Sequence, residues 1–259
     1  MNMKAPFWLL MLAVVFSVTA AKAQPGPQPD MELLLAQTEQ LEFSVHYGFL
    51  TLGWVTIEPV KDTLYNQQEA YTFRTVIKAN PSIPFMGRQE RHYHSVFSAT
   101  PDSLYGLSFW THNHSKGEYF DSRYEYDYEA GKVYVYEFET PMDTLALNRA
   151  ADSGPLLFFL TRLYAGLDVN NEFPIYISGE QGNVEMEYSS NIDRINIPAF
   201  GNVDAFYSSG DAHVDGPFGF SGYYKAWHKA DSLRVPLEAH VRVWIGNVKV
   251  RLISFERYD

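Results

Sequence analysis

From residue 41 onward, apolar and polar residues alternate with a period of two in short runs rich in Tyr, Phe and Val. A chain patterned this way has few folds open to it. Phe43, Val45 and Tyr47 alternate with Glu42, Ser44 and His46. Comparable runs lie at residues 52–59, 71–77, 91–99, 104–112, 119–129 and 133–138, and again at 173–177, 184–188, 195–200, 203–207, 220–227, 235–243 and 247–258. The runs are separated by turn-length gaps, too short for the crossover helices that parallel strands need, so the pattern predicts an antiparallel meander. About a dozen strands is more than a twisted open sheet holds comfortably, and curling is the economical outcome. The expected fold is mainly β: a strongly curved antiparallel sheet or partial β-barrel closed by one buried helix.

That helix is signalled at Asp152 to Ala165. Asp152-Ser153-Gly154-Pro155 carries helix-start residues, Gly166 follows the end, and Leu156, Phe159, Leu160 and Leu163 recur at helical spacing. The segment is apolar over most of its circumference, so it belongs against a concave sheet.

Met1 to Ala23 reads as a secretory signal peptide: a short basic start, an apolar run over Ala5 to Ala20, and Ala21-Lys22-Ala23 as a small-x-small cleavage site. The apolar run is shorter than the about 20 residues that span a bilayer. Three segments are therefore expected: 1–23 a signal peptide, 24–40 a disordered linker rich in Pro, Gly and Gln, and 41–259 a single mostly-β domain. The expected location is the periplasm or the outer-membrane-associated envelope, with no transmembrane anchor after cleavage. The chain contains no Cys, so disulfides, thiolate zinc sites, Cys nucleophiles and lipid acylation of a Cys are all excluded, and the fold depends on its hydrophobic core. With 31 Asp and Glu against 20 Lys and Arg, and no basic stripe, nucleic acid is not an expected partner.

Three segments resemble a family of exported bacterial proteins known as domain of unknown function 3108. They are Phe43 to Ile57 with its paired glycines Gly48 and Gly53, Asp152 to Arg162 with its Leu-x-Arg end, and Gly222 to Leu252. The third contains Ala226-Trp227, Asp231, Arg234-Val235-Pro236 and Ile245-Gly246-Asn247-Val248. The resemblance implies one mostly-β envelope domain and transfers no catalytic residue.

Two His-x-His pairs, His92/His94 and His112/His114, are the sharpest chemical candidates. Residues two apart on a strand share a face, so neighbouring strands could gather three or four imidazoles around a Zn ion, with Glu90 and Asp121 behind them. A metal-dependent hydrolase would follow. Other nucleophile and carboxylate signals are weaker: Phe218 to Gly222 lacks the first Gly of a nucleophile elbow, and Glu185/Glu187 and Asp127/Glu129 have the spacing of a solvated strand face. The 18 Tyr, 18 Phe and 5 Trp either fill a well-packed core or wall an aromatic cavity for a lipid, sterol or glycan, lined by Phe158, Phe159 and Trp227, with residues 81–86 as a lid; a lipid-like ligand is the leading reading of such a cavity. On that reading the chain is a non-enzymatic hydrophobic-ligand binding or envelope-interaction module and needs no cofactor. A third reading is a structural protein that contacts an envelope partner through exposed edge strands near its C-terminus.

Overall fold

The structure is a computed structural model describing residues 31–36, 38–83, 87–101, 103–113, 122–214, 220–243 and 246–258. The expected signal peptide therefore lies outside the described residues. Within the expected linker 24–40, Met31–Leu35 and Glu39 onward belong to regular elements. A short helix α1 (Met31–Leu35) buries Leu34 and Leu35 in the core, and the first strand begins at Glu39.

The strands are β1 (Glu39–Tyr47), β2 (Leu50–Ile57), β3 (Lys61–Tyr65), β4 (Gln68–Ala79), β5 (Glu90–Thr100), β6 (Ser103–Asn113), β7 (Ser122–Asp127), β8 (Lys132–Glu137) and β9 (Thr140–Ala146). Helix α2 (Leu157–Tyr164) follows, and then β10 (Asn170–Ile177), β11 (Glu180–Ile197), β12 (Gly201–His213), β13 (Gly222–Lys229), β14 (Pro236–Val243) and β15 (Gly246–Arg257). All join one antiparallel sheet in the order β10-β11-β12-β13-β14-β15-β1-β2-β4-β5-β6-β7-β8-β9, with β3 paired to β4 at its side. Two meanders are thus sewn together by their first and last strands, Glu39 opposite Arg257 and Val45 opposite Val250. This pairing corrects the expected docking edge near the C-terminus: β15 is held on both sides, by β1 and β14, and among the described residues the strand order ends at β9 and β10, with β3 paired to β4 alone.

The sheet is not closed, yet a short segment between β9 and α2 ties distant strands together. Gly106 N–H on β6 donates to the Ala151 carbonyl at 2.8 Å, and Asp152 exchanges backbone bonds with Pro174 and Tyr176 on β10. Three hairpins turn through two successive left-handed residues, Asn66-Gln67, Phe138-Glu139 and Ser178-Gly179, a twist that matches the flanking strands. Gly53 marks a close approach of two strands: a Cβ there would collide with the Lys78 carbonyl on β4.

Helix α2 begins later than the Asp152 start expected, but Asp152 organises that start. Its Oδ2 accepts the N–H groups of Gly154 and Leu156, each at 2.8 Å, satisfying donors that a helix start leaves orphaned. Leu156, Phe159, Leu160 and Leu163 are buried together with Phe73, Phe97, Leu237 and Leu252. Burial is worth roughly 1.5–3 kcal/mol for each such side chain. The helix ends at Tyr164, and Gly166 just beyond it lies at φ +80°, where an added Cβ would meet the Phe206 ring at 2.8 Å.

Candidate functional site

The face of α2 opposite that core borders a cavity of about 360 Å³ inside the curve of the sheet. The alternation visible in the sequence supplies its walls. On β1, β2 and β4, Phe43, Val45, Val55 and Ile77 point inward; from the other meander come Val184, Val241 and Val250. Pro155, Leu157, Phe158 and Thr161 form the helical side. Because both meanders contribute, the sheet must curve round the space they share.

Phe158 lines this cavity, with its ring 5.7 Å from that of Phe43. Phe159, one residue on, points away into the core, 3 % exposed and edge-on to Phe73 at 4.9 Å. Trp227 borders the cavity, while its indole N–H donates to Asp193 and its ring meets Tyr207 and His240. Beside it, burial alone would raise the Glu238 carboxyl. Hydrogen bonds from His240 and Lys249 and the nearby Arg251 charge outweigh that and hold it below the usual range. Of the expected lid, residues 84–86 lie outside the described residues, and Ile83 is buried.

Three of the four candidate metal histidines share one face of the sheet. His92 is opposite His112, and His94 lies beside them. Each ring also has neighbours of its own in this structure. His92 Nε2 is bonded to Glu90 at 2.7 Å, and the His94 ring lies flat on Trp110 at 4.9 Å. His94 is edge-on to His112 at 5.5 Å, and partial burial with the neighbouring His112, Arg74 and His92 pushes it down to about 4. No group of three or more metal-capable side chains occurs among the described residues; His114 lies outside them, as does Asp121. Glu185 and Glu187 sit exposed on β11, and Asp127 accepts the Ala130 N–H in a turn.

The cavity holds one feature that the alternation did not single out. His228, on β13, is 3 % exposed and borders the cavity, and its Nε2 lies 3.0 Å from the Thr161 hydroxyl of α2. Thr161 Oγ1 already donates to the Leu157 carbonyl at 2.8 Å. Its only proton being spent, it accepts from His228, so His228 is protonated on Nε2 and Nδ1 is a bare acceptor. Nδ1 is buried with no hydrogen-bond partner among the described residues. Burial, with the Arg162 and Arg234 charges nearby, pushes His228 down to about 3. Flanking signals were visible: Trp227 and Arg234 both belong to the motif order of the third family-like segment.

The model of a protein family described as of unknown function, DUF3108, matches residues 42–253. The chain belongs to that family. This DUF3108 domain is similar in fold to a β-barrel-like protein of another unknown-function domain, DUF1849, from Brucella abortus. That structure has a TM-score of 0.51 and 12 % identity, over 86 % of this chain and 98 % of that one. A structure from Bacteroides fragilis, described as an exported protein with a YmcC-like fold, matches at TM-score 0.39 and 11 % identity, over 89 % and 98 % of the two chains. No curated protein sequence matches the DUF3108 chain. No helix among the described residues is long and apolar enough to cross a membrane.

Proposed function

We propose that this protein is an exported, non-enzymatic carrier or sensor in the bacterial envelope that holds a lipid-like ligand inside its curved sheet, with α2 closing one side of the site. The observation that carries this reading is the cavity itself. Close-packed interiors leave few voids larger than a water molecule, whereas this one, at about 360 Å³, falls within the roughly 300–1,000 Å³ of small-molecule pockets. Aliphatic and aromatic side chains dominate its wall, which suits a hydrocarbon body better than a sugar or a nucleotide. The signal-peptide pattern over residues 1–23 supports the compartment.

Native mass spectrometry on protein purified from the periplasm of a bacterial host tests it. An added mass of lipid size is expected on the wild-type polypeptide, which itself starts at Gln24. The added mass should be absent from Ala226→Phe and Ala239→Phe, which place rings in the cavity. A bare polypeptide that also fails to take up a solvatochromic apolar dye would overturn the reading.

A further inference from the structure

The wall of the cavity is apolar almost throughout, and most polar side chains along it are already engaged. Tyr224 hydroxyl donates to the Glu185 carbonyl, Ser153 bonds Tyr126, and Thr161 stands between Leu157 and His228. Two buried wall atoms have no partner among the described residues: Thr75 Oγ1 and His228 Nδ1. Thr75 carries a hydroxyl that donates or accepts, so it fixes no polarity in a ligand. His228 does, because Thr161 consumes its only ring proton and leaves Nδ1 able solely to accept.

We propose that the ligand is an aliphatic molecule carrying a hydrogen-bond donor, a hydroxyl in the simplest case, and that this donor is received by His228 Nδ1. The inference rests on the cavity reading above. A polar atom buried without a partner is unfavourable, and a ligand hydroxyl relieves it while the hydrocarbon fills the space that water leaves. A carboxylate is the wrong group here: it would set oxygen lone pairs against the bare nitrogen. The nearby cations are also engaged, Arg162 with Glu39 and the Leu233 carbonyl and Arg234 with the Leu163 carbonyl.

The experiment compares three probes of one chain length on delipidated mature protein, by calorimetry or dye displacement at neutral pH: 1-dodecanol, its methyl ether and dodecanoate. Dodecanol should bind about tenfold tighter than the ether, which keeps the oxygen but lacks the proton, and tighter than dodecanoate. In His228→Phe the alcohol's advantage over the ether should disappear while the ether's own affinity stays. Equal binding of alcohol and ether by the wild type overturns the assignment of His228 and leaves the cavity reading standing. The same holds if dodecanoate binds most tightly. If none of the three binds, the cavity reading falls and this inference with it. The wild-type comparison alone decides the matter should the variant fail to fold.

Discussion

Arg162, near the end of α2, grips Glu39, the first residue of β1, with both terminal nitrogens, at 2.7 and 3.3 Å, and the Arg162 side chain is wholly withdrawn from solvent. This ion pair pins the helix across the seam where the two meanders meet. Removing one partner strands the other charge in the core. Glu39→Gln or Arg162→Met alone should therefore cost about 3–5 kcal/mol in urea denaturation. The double variant Glu39→Gln/Arg162→Met should be clearly less destabilised than the sum of the two single ones. Strict additivity would mean that the pair is not energetically coupled.

Adjacent phenylalanines on α2 should behave in opposite ways. Phe159 is packed in the core against Phe73, so Phe159→Ala should lose about 3–5 kcal/mol of stability without altering what the protein binds. Phe158 lines the cavity, and Phe158→Ala should cost less while enlarging the site and changing the bound species. Thermal melts with native mass spectra on both variants read the contrast. Equal destabilisation with an unchanged ligand in both would argue for a simple packed core.

The architecture was legible where the alternation was strong. The runs around Phe43, Tyr93 and Tyr124 became core-facing strands because each buries one face. Strands β3 and β9 were missed, since they are mostly exposed and their residues carry no periodicity to read. The turn at Phe138-Glu139 was invisible because neither residue is a turn former, and the pairing of β8 with β9 imposes its left-handed backbone. Asp152 was read as a helix signal, and it is one, but it also bridges to β10, a contact that no local pattern encodes. In the site, Phe158 was legible as an aromatic on a mostly apolar helix. His228 was not, because its role depends on a threonine 67 positions away. The His-x-His pairs show the converse: period two put His92 and His94 on one face as expected, but their neighbours Glu90 and Trp110 decide what the rings do there.

Asp152 gives stability a pH dependence of definite sign. Burial raises its carboxyl to about 6 against the ordinary 3.8, although the N–H groups of Ser153, Leu156 and Gly154 pull the other way. Below pH 3.8 the group is protonated whether the chain is folded or not. Between 3.8 and about 6 the unfolded chain ionises first, so this residue withdraws stability as pH rises, by about 3 kcal/mol in all. Asp152→Asn should lose part of the helix start at every pH but remove this slope. Urea midpoints of the two proteins should therefore converge from pH 4 to pH 7, and a constant gap between them would disprove the assignment.

His228 works in the reverse direction. Its folded value of about 3 lies below the ordinary 6.5, so the unfolded chain takes up a proton first as acid is added. The stabilisation is complete above pH 6.5 and drains away as pH falls toward 3, a loss of several kcal/mol over the window, roughly 1.4 for each pH unit that separates the two values. His228→Gln, which keeps a polar side chain near Thr161 but cannot titrate, should unfold at a lower pH relative to its own neutral stability than the wild type does. The ring can also be followed directly. In ¹⁵N-edited spectra His228 should keep the neutral Nε2-protonated signature at pH 5, where an ordinary histidine is charged. An imidazolium signal from His228 at that pH would remove both the acid-lability prediction and the bare Nδ1 acceptor on which the proposed ligand contact depends.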